Sequence, residues 1–427
     1  MFRELFPFNK PPVIQFPVKH EIFLTDTTLR EGQQGWRILN VKECLRILEA
    51  LSKLGGEKGL IKTTEVFLYT SKDIEVVKEI IDYNLKYPKP IAWIRSTHSD
   101  LNLVDEAGLD SAVILTSISD YHIKYKLGMD RDQAINKYLS VIQEAFKKGF
   151  NVTCSLEDTT RSDIEGLLIP FIGRVLKLAE KYHASVKFKL ADTLGLGLPF
   201  SEVPAPRGIP KLIELLLEKA EVNSSMLEFH GHNDFHLAVA NHLAAWLYGA
   251  TYSNCTLLGI GERAGNCPLE AMALLYSSIT GDVEGVNLKA ILETANIFRE
   301  MGYDIPLHHP IVGENAFKTR AGIHIDGLIK NPEIYLPLDP REILNVPIKV
   351  ALDAYSGKSG IIYWLKTHFN LDSDDLKDLK SDPRIDLIHK SIAKIYSKGR
   401  VTALRDDEVM VLVRKCMPEL VEKASVS

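Results

Sequence analysis

From residue 21 to about residue 285 the chain alternates short apolar runs with longer stretches in which apolar positions recur every three to four residues. The first pattern predicts β-strands and the second amphipathic helices. Eight strands are expected, over residues 21–27, 64–69, 90–95, 111–116, 151–157, 185–192, 226–232 and 252–258. Each is followed by a helical pattern. The clearest helix covers 163–181, where Ile164, Leu167, Leu168, Phe171, Ile172, Val175, Leu178 and Ala179 share one stripe and Asp163 suits the N-cap.

Eight strand-helix units in this order predict an α/β fold, a closed (β/α)8 TIM barrel whose chemistry sits at the C-terminal ends of the strands. An open doubly wound sheet is the alternative, but no GxGxxG follows the first strand. Polar residues fall where a barrel needs them. Arg30, Glu31 and Gln34 follow strand one; Ser155, Glu157 and Asp158 end strand five; Asp192 and Thr193 end strand six; a glycine-rich stretch over 259–266 follows strand eight. Residues 1–20 read as an arm packed on the body, 21–285 as the barrel, and 286–427 as a C-terminal lid with helical accessory subdomains.

Strand seven carries His230 and His232. Side chains at i and i+2 of a strand share a face, so the pair can grip one ion, while Phe229 and Gly231 take the opposite face. Two histidines at a strand end can equally be hydrogen-bonded core residues or a pH-responsive pair. A carboxylate from the first βα loop would complete a two-histidine, one-carboxylate site with open positions. Such a set suits Mn, Fe, Co or Zn, and Mg less typically.

Composition narrows the class without changing the fold. The 427 residues are 45% hydrophobic and 25% charged, with a formal charge of -5, which offers no basic footprint for nucleic acid. No apolar run reaches membrane-spanning length. The Phe- and Pro-rich start, with Glu4 inside it, lacks the regions of a signal peptide. Cys44, Cys154, Cys255, Cys267 and Cys416 are scattered without CxxC spacing, which points to a reducing, cytoplasmic setting.

The stretches Asp26-Thr-Thr-Leu-Arg-Glu-Gly-Gln-Gln34, His230-Gly-His-Asn-Asp234 and Gly261-Glu-Arg-Ala-Gly-Asn266 resemble the metallolyase barrels that include isopropylmalate, homocitrate and citramalate synthases and hydroxymethylglutaryl-CoA lyase. The resemblance continues through Ala321-Gly-Ile-His324, Tyr335 and Asp353-Ala-Tyr-Ser-Gly-Lys-Ser-Gly360, nearly the whole chain. It implies a metal-dependent acyltransferase that condenses an acyl-CoA with a 2-oxo acid. It also implies Glu31, rather than Asp26, as a ligand beside His230 and His232, with Asn266 in or near the coordination sphere and Mn2+ as the expected ion (Co2+, Mg2+ or Zn2+ as alternatives). Arg30 would face the keto oxygen and Thr193 would hold the substrate carboxylate. The base that takes a methyl proton would be one of His324, Tyr335 and Glu157, the first two reaching the mouth from the partner subunit of a homodimer.

Departures from the family bear on the acceptor. Gln33 stands where the synthases commonly have another residue, often glutamate. Thr153 and Thr97 replace the arginine and histidine typical of homocitrate synthases. Together with Glu65-Val-Phe-Leu-Tyr-Thr70 and Ala245-Trp-Leu-Tyr-Gly249, the motifs are most similar to the branch that joins acetyl-CoA to oxaloacetate on the face opposite to the one ordinary citrate synthase uses. A second carboxylate calls for cationic partners, and Arg95 and Arg161 near strand ends are the expected ones, with Gln34 beside them. Homocitrate, 2-isopropylmalate or citramalate synthesis is the alternative, then a lyase or a non-catalytic acyl-CoA or 2-oxo-acid sensor. No leucine-sensing domain is expected.

Overall fold

The computed structural model describes residues 2–369, 371 and 373–424. Residues 13–302 form one compact unit, and residues 1–12 with 303–427 form a second. The first unit is the predicted barrel. Its strands are β1 (Phe23–Asp26), β2 (Ile61–Val66), β3 (Lys89–Arg95), β4 (Ser111–Ser117), β5 (Asn151–Glu157), β6 (Val186–Asp192), β7 (Leu227–Gly231) and β8 (Tyr252–Cys255). All neighbours are parallel, and β8 closes on β1 with Phe23 opposite Tyr252 and Asp26 opposite Cys255.

Two strands differ from the sequence expectation for local reasons. β8 stops at Cys255 because Leu258 takes a positive φ of 59° inside the turn Leu257–Gly259, which no strand accommodates. β2 lies three residues earlier than expected, since Ile61 pairs with Leu24 and Val66 with Ala92, while Thr70 is already the N-cap of the next helix.

Helix starts follow the side-chain caps that the sequence supplies. Asn40 with Glu43, Thr70 with Asp73, and Asp130 with Gln133 form reciprocal capping boxes. Asp163 caps as predicted, accepting from the Gly166 N–H, although its first turn is wound as a wider π-turn over Ile164–Leu168 before the α-helix Ile169–Tyr182. The outward strand faces and the helices bury the apolar core, for example Ile47, Leu48 and Leu51 of the helix Val41–Gly55. Helix Ala290–Glu300, sought in the C-terminal region, packs instead on that same helix.

The second unit has its own core, in which Trp364, Ile325, Leu328, Ile361, Ile388 and Val413 meet. Trp364 donates its indole N–H to Asp406 at 2.9 Å. Strands Lys318–Thr319 and Lys349–Val350 pair in parallel beside it. Residues near the N-terminus join this unit, with the Asp339 N–H donating to the Phe8 carbonyl. Among the described residues no helix is long and apolar enough to cross a membrane.

Candidate active site

The barrel interior is unusually charged for a protein core. Lys189 is fully buried between Glu65 and Glu228, whose Oε1 lies 3.1 Å from Lys189 Nζ. Thr25 donates to Glu228 at 2.9 Å. Burial opposes the ionised form of Glu65, but Lys189 and Arg30 outweigh it and hold the carboxyl below its ordinary range. Each buried charge is therefore compensated, which such groups require; removing one partner would cost ~3–5 kcal/mol.

This network carries Arg30 upward to the mouth. Arg30 Nε lies 2.8 Å from Glu65 Oε2, its Nη1 lies 2.6 Å from Glu31 Oε1, and its guanidinium sits 5.0 Å from the centre of the Trp93 ring. Asp26, four residues earlier, is spent elsewhere. It accepts from the Thr28 backbone and from the Thr28 and Thr64 hydroxyls, and burial raises its carboxyl to about 7.

Glu31, His230 and His232 converge, each offering a ligand atom within 4.8 Å of the other two. All three are buried. His230 Nδ1 lies 2.7 Å from Asn254 Oδ1, and the Asn254 amide N donates to Thr25 and toward Glu65, so its oxygen must face the histidine. Nδ1 of His230 thus carries the proton and Nε2 presents its lone pair to the Glu31 side, 3.8 Å from Glu31 Oε1. Burial pushes the His230 imidazole down to about 3 and lowers His232 as well. Both shifts favour the neutral ring, the form that binds metals.

Asn266 reaches the same place through an isolated antiparallel bridge with His232. Gly261 makes room for it, because a Cβ there would stand 1.9 Å from Asn266 Oδ1. Glu31 Oε2, His232 Nδ1 and both amide atoms of Asn266 are buried without a hydrogen-bond partner. Such orphaned polar atoms are costly unless a ligand satisfies them. The donor set fits a divalent cation.

Below the mouth lies a cavity of about 240 Å³ lined by Arg30, Glu31, His230 and His232 together with Gln34, Thr193, Glu157, Trp93, Lys126 and Arg263. A larger cavity, about 840 Å³, opens at the opposite end of the strands around Asn151, Thr153 and Lys187 and holds none of the ligand set. Thr193 accepts from the Asp158 N–H at 2.8 Å, which fixes its hydroxyl at the rim. Glu157 receives the Ser117 hydroxyl, lies 2.7 Å from Lys126 Nζ and 2.9 Å from His122 Nδ1, and is held at about 2 by His122 and Lys126 despite its burial.

Arg95 and Arg161 do not line this cavity. Arg95 is paired twice with Asp100 and has 63% of its side chain exposed, while Arg161 is tied to Asp158 beneath Tyr121. Gln33 is likewise structural, bridging the Leu29 carbonyl and the Leu39 N–H, and Thr97 caps the helix His98–Glu106. His324 and Tyr335 belong to the second unit, where their rings lie 4.4 Å apart and both are exposed. Gly327 permits that approach, since a Cβ there would meet the Tyr335 ring at 2.4 Å.

A profile described as HMGL-like matches residues 21–298. The chain belongs to the HMGL-like family. A second profile, described as Homocitrate synthase post-HMGL domain-like, matches residues 311–382. Relatives of this HMGL-like chain include the Citrate (Re)-synthase of Clostridium kluyveri, 40% identical over 99% of this chain and 95% of its own length. Another is the Citrate (Re)-synthase of Syntrophus aciditrophicus, 42% identical over 98% of this chain and 68% of that protein. The solved hydroxymethylglutaryl-CoA lyase of Pseudomonas aeruginosa, at 16% identity, covers 68% of this chain and 96% of its own with a TM-score of 0.55, a likeness of fold. The family resemblance read from the motifs is borne out.

Several residues of the HMGL-like site escaped sequence reading: Glu65, Lys189, Asn254, His122, Lys126 and Arg263. Lys189 and Glu228 carried a usable signal, because a charge at an inward strand position must be paired. His122 and Lys126 sit on the π-turn His122–Lys126 after β4, and no local pattern announces that turn.

Proposed function

We propose that this chain is a Re-type citrate synthase that joins acetyl-CoA to oxaloacetate. The observation that carries the reading is the alignment of two Citrate (Re)-synthases over almost the whole of this chain, together with a buried Glu31, His230 and His232 set that lies open to the mouth cavity. Glu31, His230 and His232 hold the cation, with Asn266 at or beside it and Mn2+ as the expected ion. When bound, a divalent ion there supplies Lewis-acid polarisation of the keto group of a chelating 2-oxo acid.

The protein's own groups do the rest. Arg30, aligned by Glu65 and Glu31, faces the keto oxygen and stabilises the negative charge that develops on it. Thr193 and Gln34 hold the substrate from the rim. A base takes a proton from the methyl group of acetyl-CoA, and the resulting carbon nucleophile bonds to the keto carbon. Hydrolysis of the thioester then releases citrate and CoA. The base is one of Glu157, His324 and Tyr335, and we assign the last two to a partner subunit, which makes the working form a homodimer. Five free cysteines, four of them buried, suit a reducing cytoplasm.

Purified protein with Mn2+, acetyl-CoA and a panel of oxaloacetate, 2-oxoglutarate, 3-methyl-2-oxobutanoate and pyruvate tests this by release of free thiol. Turnover with oxaloacetate, giving citrate from attack on the Re face, is expected. Turnover with another acid alone would move the chain to homocitrate or another alkylmalate synthesis. Binding without thiol release would leave a sensor.

A further inference from the structure

A second cluster of metal-binding side chains lies behind the site. His242, Cys255 and Cys267 are fully buried and place donor atoms within 4.8 Å of one another. The hydrogen bonds of His242 decide what the cluster is. The Gly231 backbone N–H donates to His242 Nε2 at 2.9 Å, so that nitrogen carries a lone pair and no proton. In a neutral imidazole the proton is then on Nδ1, which lies 2.6 Å from the Ser253 hydroxyl and 3.9 Å from Cys255 Sγ. A nitrogen that holds its proton is no ligand, and moving the proton to Nε2 would set two donors, Nε2–H and Gly231 N–H, against each other. The cluster is a tautomer lock rather than a metal site.

What it locks is the strand between the two histidines. The β7–β8 ladder ends at the pair His230 and Asn254. Past that point the Thr256 N–H turns away to the Cys267 carbonyl, and the His232 N–H goes to Asp192 of β6. Gly231 N–H is the last donor that β7 turns toward β8, at the point where the ladder stops, and a buried backbone donor there needs secure acceptors. His242, from the helix Ala238–Tyr248, supplies a side-chain acceptor to it, and its ring is seated edge-on against Phe229 at 4.9 Å.

We infer that His242 is a positioning residue: by accepting from the Gly231 amide at the end of the β7–β8 ladder it sets the mutual geometry of His230 and His232. It touches neither substrate nor reacting atoms. The inference rests on the reading of His230 and His232 as ligands, but the hydrogen bond itself can be tested without any metal.

The test uses the full-length protein and the variants His242→Leu, His242→Gln and Ser253→Ala. In metal-free protein, amide hydrogen exchange at Gly231 should speed up at least about 10-fold in His242→Leu and return toward the parent rate in His242→Gln, whose Oε1 can accept. Mn2+ affinity, measured by competition with a chelator, should weaken ~10–100-fold in His242→Leu, the range for outer partners of a metal site. It should recover to within about 3-fold in His242→Gln and fall between the two in Ser253→Ala, which frees the tautomer. Unchanged Gly231 exchange in His242→Leu would overturn the inference, as would equal loss of affinity in the Leu and Gln variants. A second tightly bound metal per chain, lost in Cys255→Ser, would also overturn it. A parent protein that binds no Mn2+ would instead reject the ligand reading and leave the exchange result standing. Should His242→Leu fail to fold, the Gln and Ser253→Ala comparison decides alone.

Discussion

His230 Nδ1 and Asn254 Oδ1 lie 2.7 Å apart, on neighbouring strands and in direct register. The same amide donates to Thr25 at 2.9 Å, so the asparagine cannot turn without leaving a buried donor or acceptor unpaired. Asn254→Ala should release the His230 ring to either tautomer. Mn2+ affinity should fall ~10–100-fold, read by chelator competition on protein whose circular dichroism matches the parent. An unchanged affinity would show that the ring is oriented by something else.

Glu31 supplies the only negative charge of the proposed ligand set. Glu31→Gln keeps the shape and leaves Arg30 its pair with Glu65 at 2.8 Å, so the barrel should stay folded. The metal-free unfolding midpoint should move by no more than about 3 °C, equivalent to ~1 kcal/mol in a domain of this size. Affinity for Mn2+ should drop by more than the ~100-fold expected of an outer partner, and thiol release with it. Retained metal-dependent turnover would reject Glu31 as a ligand.

The barrel and its mouth were legible because their signals are periodic or clustered. Strand-helix alternation fixes eight units, and His230 and His232 share parity whatever the register. Glu31 and Asn266 became legible only through the family motifs, since neither spacing nor composition tells a loop carboxylate that binds from one that caps. Arg95 and Arg161 show the limit of that reasoning. Both stand near strand ends, but Asp100 and Asp158, three to five residues downstream or upstream, pair with them locally. Such short-range competition is decided by side-chain geometry that no strand count contains. His242 was hidden for a related reason, because its partner is a backbone amide at the end of the β7–β8 ladder.

The His324 and Tyr335 pair can be perturbed without touching the barrel. A Cβ on Gly327 would stand 2.4 Å from the Tyr335 ring, so Gly327→Ala must push that ring from its place beside His324. If either residue serves as base, kcat should fall by ~10²-fold, the lower end of what a positioned base contributes, while Mn2+ affinity stays within about 2-fold. A loss of metal affinity would mean that the pair acts on the ligand set, and unchanged kcat would leave Glu157 as the base.

Glu157 gives a pH test with a defined window. Its carboxyl is held at about 2 by His122 and Lys126, against 4.5 in the unfolded chain, so burial is more than offset. A group whose pKa is depressed on folding stabilises the native state above its unfolded value, and that contribution disappears as pH falls through the folded one. The shift corresponds to at most ~3 kcal/mol, and the exposure of Lys126 brings the expectation to ~1–3 kcal/mol. Urea unfolding of the parent and of Glu157→Gln should therefore differ by that amount at pH 6 and by clearly less at pH 3, most of the change falling between pH 4.5 and 2. A difference that stays constant from pH 6 to pH 3 would mean that Glu157 stabilises through packing alone, with no charge-dependent hold from its neighbours.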